Sequence, residues 1–125
     1  MKTFYRIEHG VDKYVGKYFL GMYQSSTSRQ MYGDGHPAPW SDDLLTAQLG
    51  DVQGFLTGFA EYVFSFPDVD RLKKWVYKRE WIEDLNRLGY VLSVYECDDG
   101  YHGDTQSIFN WEKAQLKHRI NLLEV

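Results

Sequence analysis

Apolar and polar residues alternate with a period of two in several places along this chain. Residues 3–8 (TFYRIE) put Phe4, Arg6 and Glu8 on one side and Tyr5 and Ile7 on the other, as a half-buried strand requires. Residues 59–66 (FAEYVFSF) and 90–97 (YVLSVYEC) are rich in aromatic and β-branched residues and predict two more strands. A further strand is expected over 105–111, and the tail, 118–125 (HRINLLEV), leans the same way. Residues 14–23 (YVGKYFLGMY) form another strand region. Gly16 and Gly21 interrupt it, and glycine inside a strand marks a bulge or a close backbone approach.

The period changes at Pro67-Asp68. Proline stops the strand and Asp68 supplies an N-cap. Val69, Leu72, Trp75, Val76, Ile82, Leu85 and Leu88 then follow helical spacing, so one main helix is expected over about 69–88, with a break near 77–80. Gly89 is the expected C-terminal cap. Ser41-Asp42-Asp43 ahead of Leu44-Leu45 predicts a short helix over 43–49, before Gly50, Gly54 and Gly58 break the pattern. Residues 24–40 (QSSTSRQMYGDGHPAPW) read as a long polar loop, and unstructured loops of that length are often functional. Residues 98–104 (DDGYHGD) read as a second loop. Strands on either side of one helix predict an α+β fold, a mostly antiparallel twisted sheet with the main helix packed on it. At 125 residues, a single domain over 1–125 is expected.

Composition adds one unusual fact. Ten Tyr, seven Phe and four Trp bring the aromatic content to 17%. Tyr14, Tyr18, Tyr23, Tyr32, Trp40, Tyr101 and Trp111 cannot all fit one small core, so part of this set faces outward. Surface Tyr and Trp are enriched at protein–protein contacts; the alternative is that these residues roof the sheet. No apolar run approaches the ~20 residues of a membrane helix. The first ten residues lack the apolar core of a secretory signal. Cys97 is the only cysteine, which excludes an intrachain disulfide. A cytoplasmic protein is expected, with no membrane partner. The net charge of −4 argues against a nucleic-acid partner.

Motifs with chemistry are few. His9, His36, His102 and His118 lack metal-ligand spacing, so no metal is expected. His102 with Asp98, Asp99 and Asp104 reads as a solvated acidic loop, and Cys97 as a structural thiol. Arg71, Lys73, Lys74, Lys78 and Arg79, with Trp75, Tyr77 and Trp81 nearby, make a basic helix face. Glu80, Glu83 and Asp84 offset it.

Two resemblances follow. FYRIEHG (4–10), HPAPWSDD (36–43), FSFPDVDRLKKWV (64–76), LGYVLSVYE (88–96) and GDTQSIF (103–109) together resemble a loose pattern in small accessory proteins of bacteriophages and prophages. That resemblance implies host cytoplasm as the working compartment. It also implies a role among proteins that inhibit host defences, CRISPR–Cas complexes included. The expected partner is then a host protein or defence complex, bound stoichiometrically through Tyr32, Asp34, His36, Trp40 and Tyr101; a second copy of the chain is also admitted. No cofactor is expected under this reading.

The second resemblance is to the ADP-ribosyltransferase class, which distributes an Arg or His, a Ser and a Glu or Gln over three strands around NAD. Arg6, Ser65 and Gln106 occupy that order and are the candidate catalytic residues it implies, in an NAD-dependent enzyme or a degenerate NAD binder. Arg6 would fork to a pyrophosphate, Ser65 would hold the nicotinamide riboside and Gln106 the ribose. Tyr14 or Tyr18 would stack on the nicotinamide. Phe64-Ser65-Phe66 stands where that class has S-T-S, and T-Q-S replaces its late-strand Glu. Without that reading, Arg6 pairs with Glu8 or Glu96 and Gln106 points outward from its strand. A DNA mimic is the third alternative; 14 basic residues among 18 acidic ones dilute the acidic face that it needs.

Overall fold

The computed structural model describes residues 1–10, 14–15, 18–19 and 62–125. The expected loop 24–40 and helix 43–49 lie outside them. Eight strands are described: β1 (Lys2–His9), β2 (Tyr14–Val15), β3 (Tyr18–Phe19), β4 (Tyr62–Ser65), β5 (Tyr90–Cys97), β6 (Gly100–His102), β7 (Ser107–Asn110) and β8 (Gln115–Ile120). Two helices, α1 (Val69–Trp75) and α2 (Arg79–Arg87), separate β4 from β5. The fold is α+β. Every strand pair is antiparallel.

One sheet has the order β1-β5-β8 and another the order β4-β7-β6; β2 and β3 pair with each other. Of the expected 14–23 strand region, 14–15 and 18–19 are described, and they pair with each other. The first two sheets are stitched by Tyr5 and Phe66, whose backbones exchange hydrogen bonds of 3.0 and 2.7 Å.

Alternation in β1 sorts residues between two layers. Ile7 faces the helices and joins Leu72, Trp75, Val76, Trp81, Ile82, Leu85, Leu92 and Leu122 in one apolar core. Phe4 faces the second sheet and joins Val63, Tyr95, Cys97 and Phe109 in another. The Phe4 ring lies 5.1 Å from Phe109 and 4.6 Å from His102, centre to centre. The β1-β5-β8 sheet is therefore a middle layer, with helices on one face and a second sheet on the other. Its central strand, β5, is covered on both sides, which explains its nearly continuous apolar run.

The helical segment divides as its sequence indicated. Asp68 Oδ1 accepts the Arg71 backbone N–H at 2.8 Å, and its other oxygen pairs with the Arg71 guanidinium. The backbone N–H, followed by the guanidinium, holds the Asp68 carboxyl below its usual range. The break spans 76–78 and resets the helical phase. Trp81, which helical spacing from α1 assigns to the charged face, becomes 1% exposed, whereas Leu88 is 37% exposed and leaves the apolar stripe. Gly89 closes the segment with φ +95°, a left-handed value that glycine adopts at little cost.

Several details differ from expectation. The 98–104 loop contains β6, which pairs with β7. The tail strand begins earlier, at Gln115, and ends at Ile120. A 3₁₀ turn, Leu122–Glu124, then turns Leu122 into the helical core. Phe64 is only half-buried; the enclosed residues of β4 are Val63 and Ser65.

The close approach of the two sheets needs Gly100. A Cβ there would lie 2.9 Å from Phe4 Cε2 and 3.0 Å from the Ile108 carbonyl oxygen. Gly100→Ala is expected to destabilise by about 1–3 kcal/mol, read as a lower urea midpoint with an unchanged slope.

Candidate functional site

The strand register gathers charge between the two sheets. Arg6 stands opposite Ser93, and Ser93 opposite Arg119, so the three form one row across β1, β5 and β8. Glu8 lies two residues along β1 on the same face and is fully enclosed. Its carboxylate accepts Arg6 Nε at 3.1 Å, Ser93 Oγ at 2.8 Å and Tyr95 Oη at 2.5 Å. Arg119 Nη2 adds an ion pair at 3.6 Å, and another nitrogen of Arg119 donates to the Gly10 carbonyl. Two guanidiniums and one carboxylate leave one positive charge in excess within this group.

Arg6 Nη1 also donates to the Phe64 carbonyl at 2.8 Å, tying the first sheet to the second. Of the two partners that sequence proposed for Arg6, Glu8 is the one it takes. Glu96 instead approaches Lys117 at 4.0 Å. Burial pulls the Arg6 pKa down against the attraction of Glu8. Burial, reinforced by Glu8, pushes the Tyr95 phenol far up, so it stays a neutral donor.

Ser65 faces the same inter-sheet space. It pairs with Ser107, which pairs with His102, in a row across the second sheet. His102 Nδ1 and Ser107 Oγ share a hydrogen bond of 2.7 Å. Burial, then the charges of Lys2 and Arg71, lower the His102 pKa. The Ser65 hydroxyl is buried without a hydrogen-bond partner among the described residues. Gln106 precedes β7, one position out of that row, and is 3% exposed. It is enclosed, not outward-facing as a plain strand residue would be. Arg6 and Ser65 thus share one layer; Gln106 is not brought into their rows.

In the acidic loop Asp98 and Asp104 are exposed, and Asp99 is half-buried. Asp99 accepts Tyr62 Oη and Asn110 Nδ2 and pairs with Lys113 at 3.2 Å. These partners, Tyr62 foremost, hold its carboxyl below the usual range. Among the described residues no group of three His, Cys, Asp or Glu side chains could hold a metal. Cys97 is enclosed, as a structural thiol should be. Of the expected contact residues, Tyr32, Asp34, His36 and Trp40 lie outside the described residues. Tyr101 is half-buried on β6, its ring 6.4 Å from that of Tyr62.

A surface feature that sequence had assigned to a plain solvated face lies at the helix break. Leu72, Val76, Ile82, Leu122 and Val125, with Tyr77, Lys73 and Arg79, line a groove of about 210 Å³. Tyr77 is 57% exposed. Its ring meets Trp81 edge-on at 5.2 Å, and Lys78 Nζ sits 5.1 Å above the Trp81 ring. The signal was present in the sequence as the helix break itself, which lifts Tyr77 out of the helical register.

Glu8→Ala is expected to destabilise by about 3–5 kcal/mol, because two buried guanidiniums lose their carboxylate. Stability is also expected to fall as pH rises past about 10. Tyr62 and Tyr95 ionise near there in the unfolded chain, while folding raises both pKa values. The unfolded state then binds fewer protons and gains. Melting temperatures between pH 8 and 11, for the wild type and Tyr95→Phe, test this: the variant should show the shallower decline.

No helix among the described residues is long and apolar enough to cross a membrane. No curated protein and no solved structure matches the chain. Residues 1–123 do match the model of a family described as Bacteriophage T4 Y00F protein. Since that match spans all but the last two residues, the chain belongs to this bacteriophage protein family.

Proposed function

We propose that this phage protein is an accessory factor that works by binding another protein. The observation that carries this reading is Tyr77, a large aromatic exposed beside an apolar groove. Exposed Tyr beside a pocket that an apolar anchor can fill is the usual composition of a binding hot spot. The interior contrasts with it. Arg6, Ser65 and Gln106 are all enclosed, and the Arg6 guanidinium is already bonded to Glu8 and to the Phe64 carbonyl.

Membership of a phage family makes a host protein the natural partner. Within that reading, the partner is a component of a host defence complex, CRISPR–Cas included, held stoichiometrically. Phage membership and small size are what support this finer assignment.

The experiment compares tagged wild type, Tyr77→Ala and the pair Trp40→Ala/Tyr101→Ala in capture from host lysate, with mass spectrometry and native stoichiometry. A partner retained near one-to-one by wild type and lost at least tenfold by Tyr77→Ala supports the reading. Loss only in the Trp40/Tyr101 pair moves the contact to those two residues. Consumption of NAD by the purified chain, or heat on titrating NAD, would overturn the binding reading. For the defence assignment, plating of phage with and without the gene should differ only on hosts carrying the defence system.

A further inference from the structure

We infer that the groove at the helix break takes an acidic amphipathic segment of the partner, anchored by one large apolar side chain. This rests on the protein-binding reading and names the chemistry of what binds. The floor is apolar: Leu72 and Leu122 are fully enclosed, and Val76 and Ile82 are 3% and 9% exposed. At about 210 Å³ the space is below the ~300–1,000 Å³ typical of small-molecule sites. It suits one or two side chains of a docking segment better than a cofactor. Helix-in-groove recognition uses apolar anchors of this kind, three or four residues apart.

Charge selects among such segments. The chain as a whole carries −4, yet both charged residues lining the groove are basic, Lys73 and Arg79. Lys78 stands beside them over the Trp81 ring. Arg79 pairs with Glu83 at 3.6 Å, where both side chains are more than half exposed, and Glu80 follows it in the chain. An exposed pair of this kind contributes little and is readily exchanged. No ion pair of Lys73 occurs among the described residues. An anionic segment therefore meets the Lys73 and Arg79 side chains at the groove itself, with Glu80, Glu83 and Asp84 farther along α2. A basic segment is repelled there, though the net charge of the chain would attract it. Like-charge contact of this kind is a source of specificity as well as of encounter rate.

The test uses three fluorescein-labelled synthetic helical peptides of one length. Each carries Leu and Phe at i, i+3, i+4 and i+7. The remaining positions are Glu in the first peptide, Lys in the second and Gln in the third. Fluorescence polarisation against the full chain should give the Glu peptide at least tenfold tighter binding than the Gln peptide, and the Lys peptide the weakest. Binding of the Glu peptide should weaken on going from 50 to 300 mM salt. Tyr77→Ala should cost it about tenfold, and Lys73→Glu/Arg79→Glu should reverse the order of the Glu and Lys peptides. All three substituted positions are exposed, and circular dichroism confirms that each variant folds.

Equal binding of the three peptides, or an order unchanged by the charge reversal, overturns the inference. So does light scattering that shows a dimer dissociated by Tyr77→Ala, since a second copy would then fill the groove. A chain that captures a host protein through Tyr77 yet ignores peptide charge refutes the acidic segment alone. Peptide preference without any captured protein refutes the reading on which it rests.

Discussion

Pairing of β1 with β5 is the constraint on which the described structure depends. Eight consecutive residue pairs, from Lys2↔Cys97 to His9↔Tyr90, set one register. Strand geometry then decides everything placed on either side. A shift by one residue would turn Phe4, Arg6 and Glu8 toward the helices and Ile7 toward the second sheet. Both apolar clusters and the charged row would be lost together. The helices and the second sheet add cover to this pair; neither substitutes for it.

A polar cluster at the centre of such a stack is costly unless every charge is met. Glu8 is met by two guanidiniums and two hydroxyls, and Arg6 also reaches the Phe64 carbonyl. Burial of these groups contributes less to stability than apolar packing of equal volume would. Its structural effect is directional. The Arg6–Phe64 bond and the Tyr5–Phe66 bridge hold the two sheets in one alignment.

Much of this was legible in the residues, for reasons that differ by element. β5 was readable to its ends because aromatic and β-branched residues run between two turn signals. The helix and its interruption were readable from the apolar spacing, Asp68 and Gly89. Trp81 and Leu88 were misassigned because a three-residue break rotates one helix against the other, which no single period can represent. β6 was hidden because its three residues carry no alternation of their own; it exists through pairing with β7. The charged cluster was half visible. Arg6 and Glu8 share a face by alternation, but Ser93 and Arg119 join them only once the register is known. Ser65 was singled out only by its place in the order Arg6, Ser65, Gln106, and its enclosure follows from the sheet that covers it, which no local pattern records.

The chain order of the paired strands has a consequence in time. Glu8 and the Tyr95 hydroxyl that it accepts are 87 residues apart. At ~5–20 residues per second of synthesis, β1 precedes its partner by roughly 4–17 s. For that interval it is a strand without a sheet, the species most prone to pair with a neighbour on another ribosome. Arg6 and Glu8 are solvated then, and charge on a naked strand discourages such pairing. The residues that make the finished interior expensive are the ones that keep the nascent first strand to itself until β5 arrives.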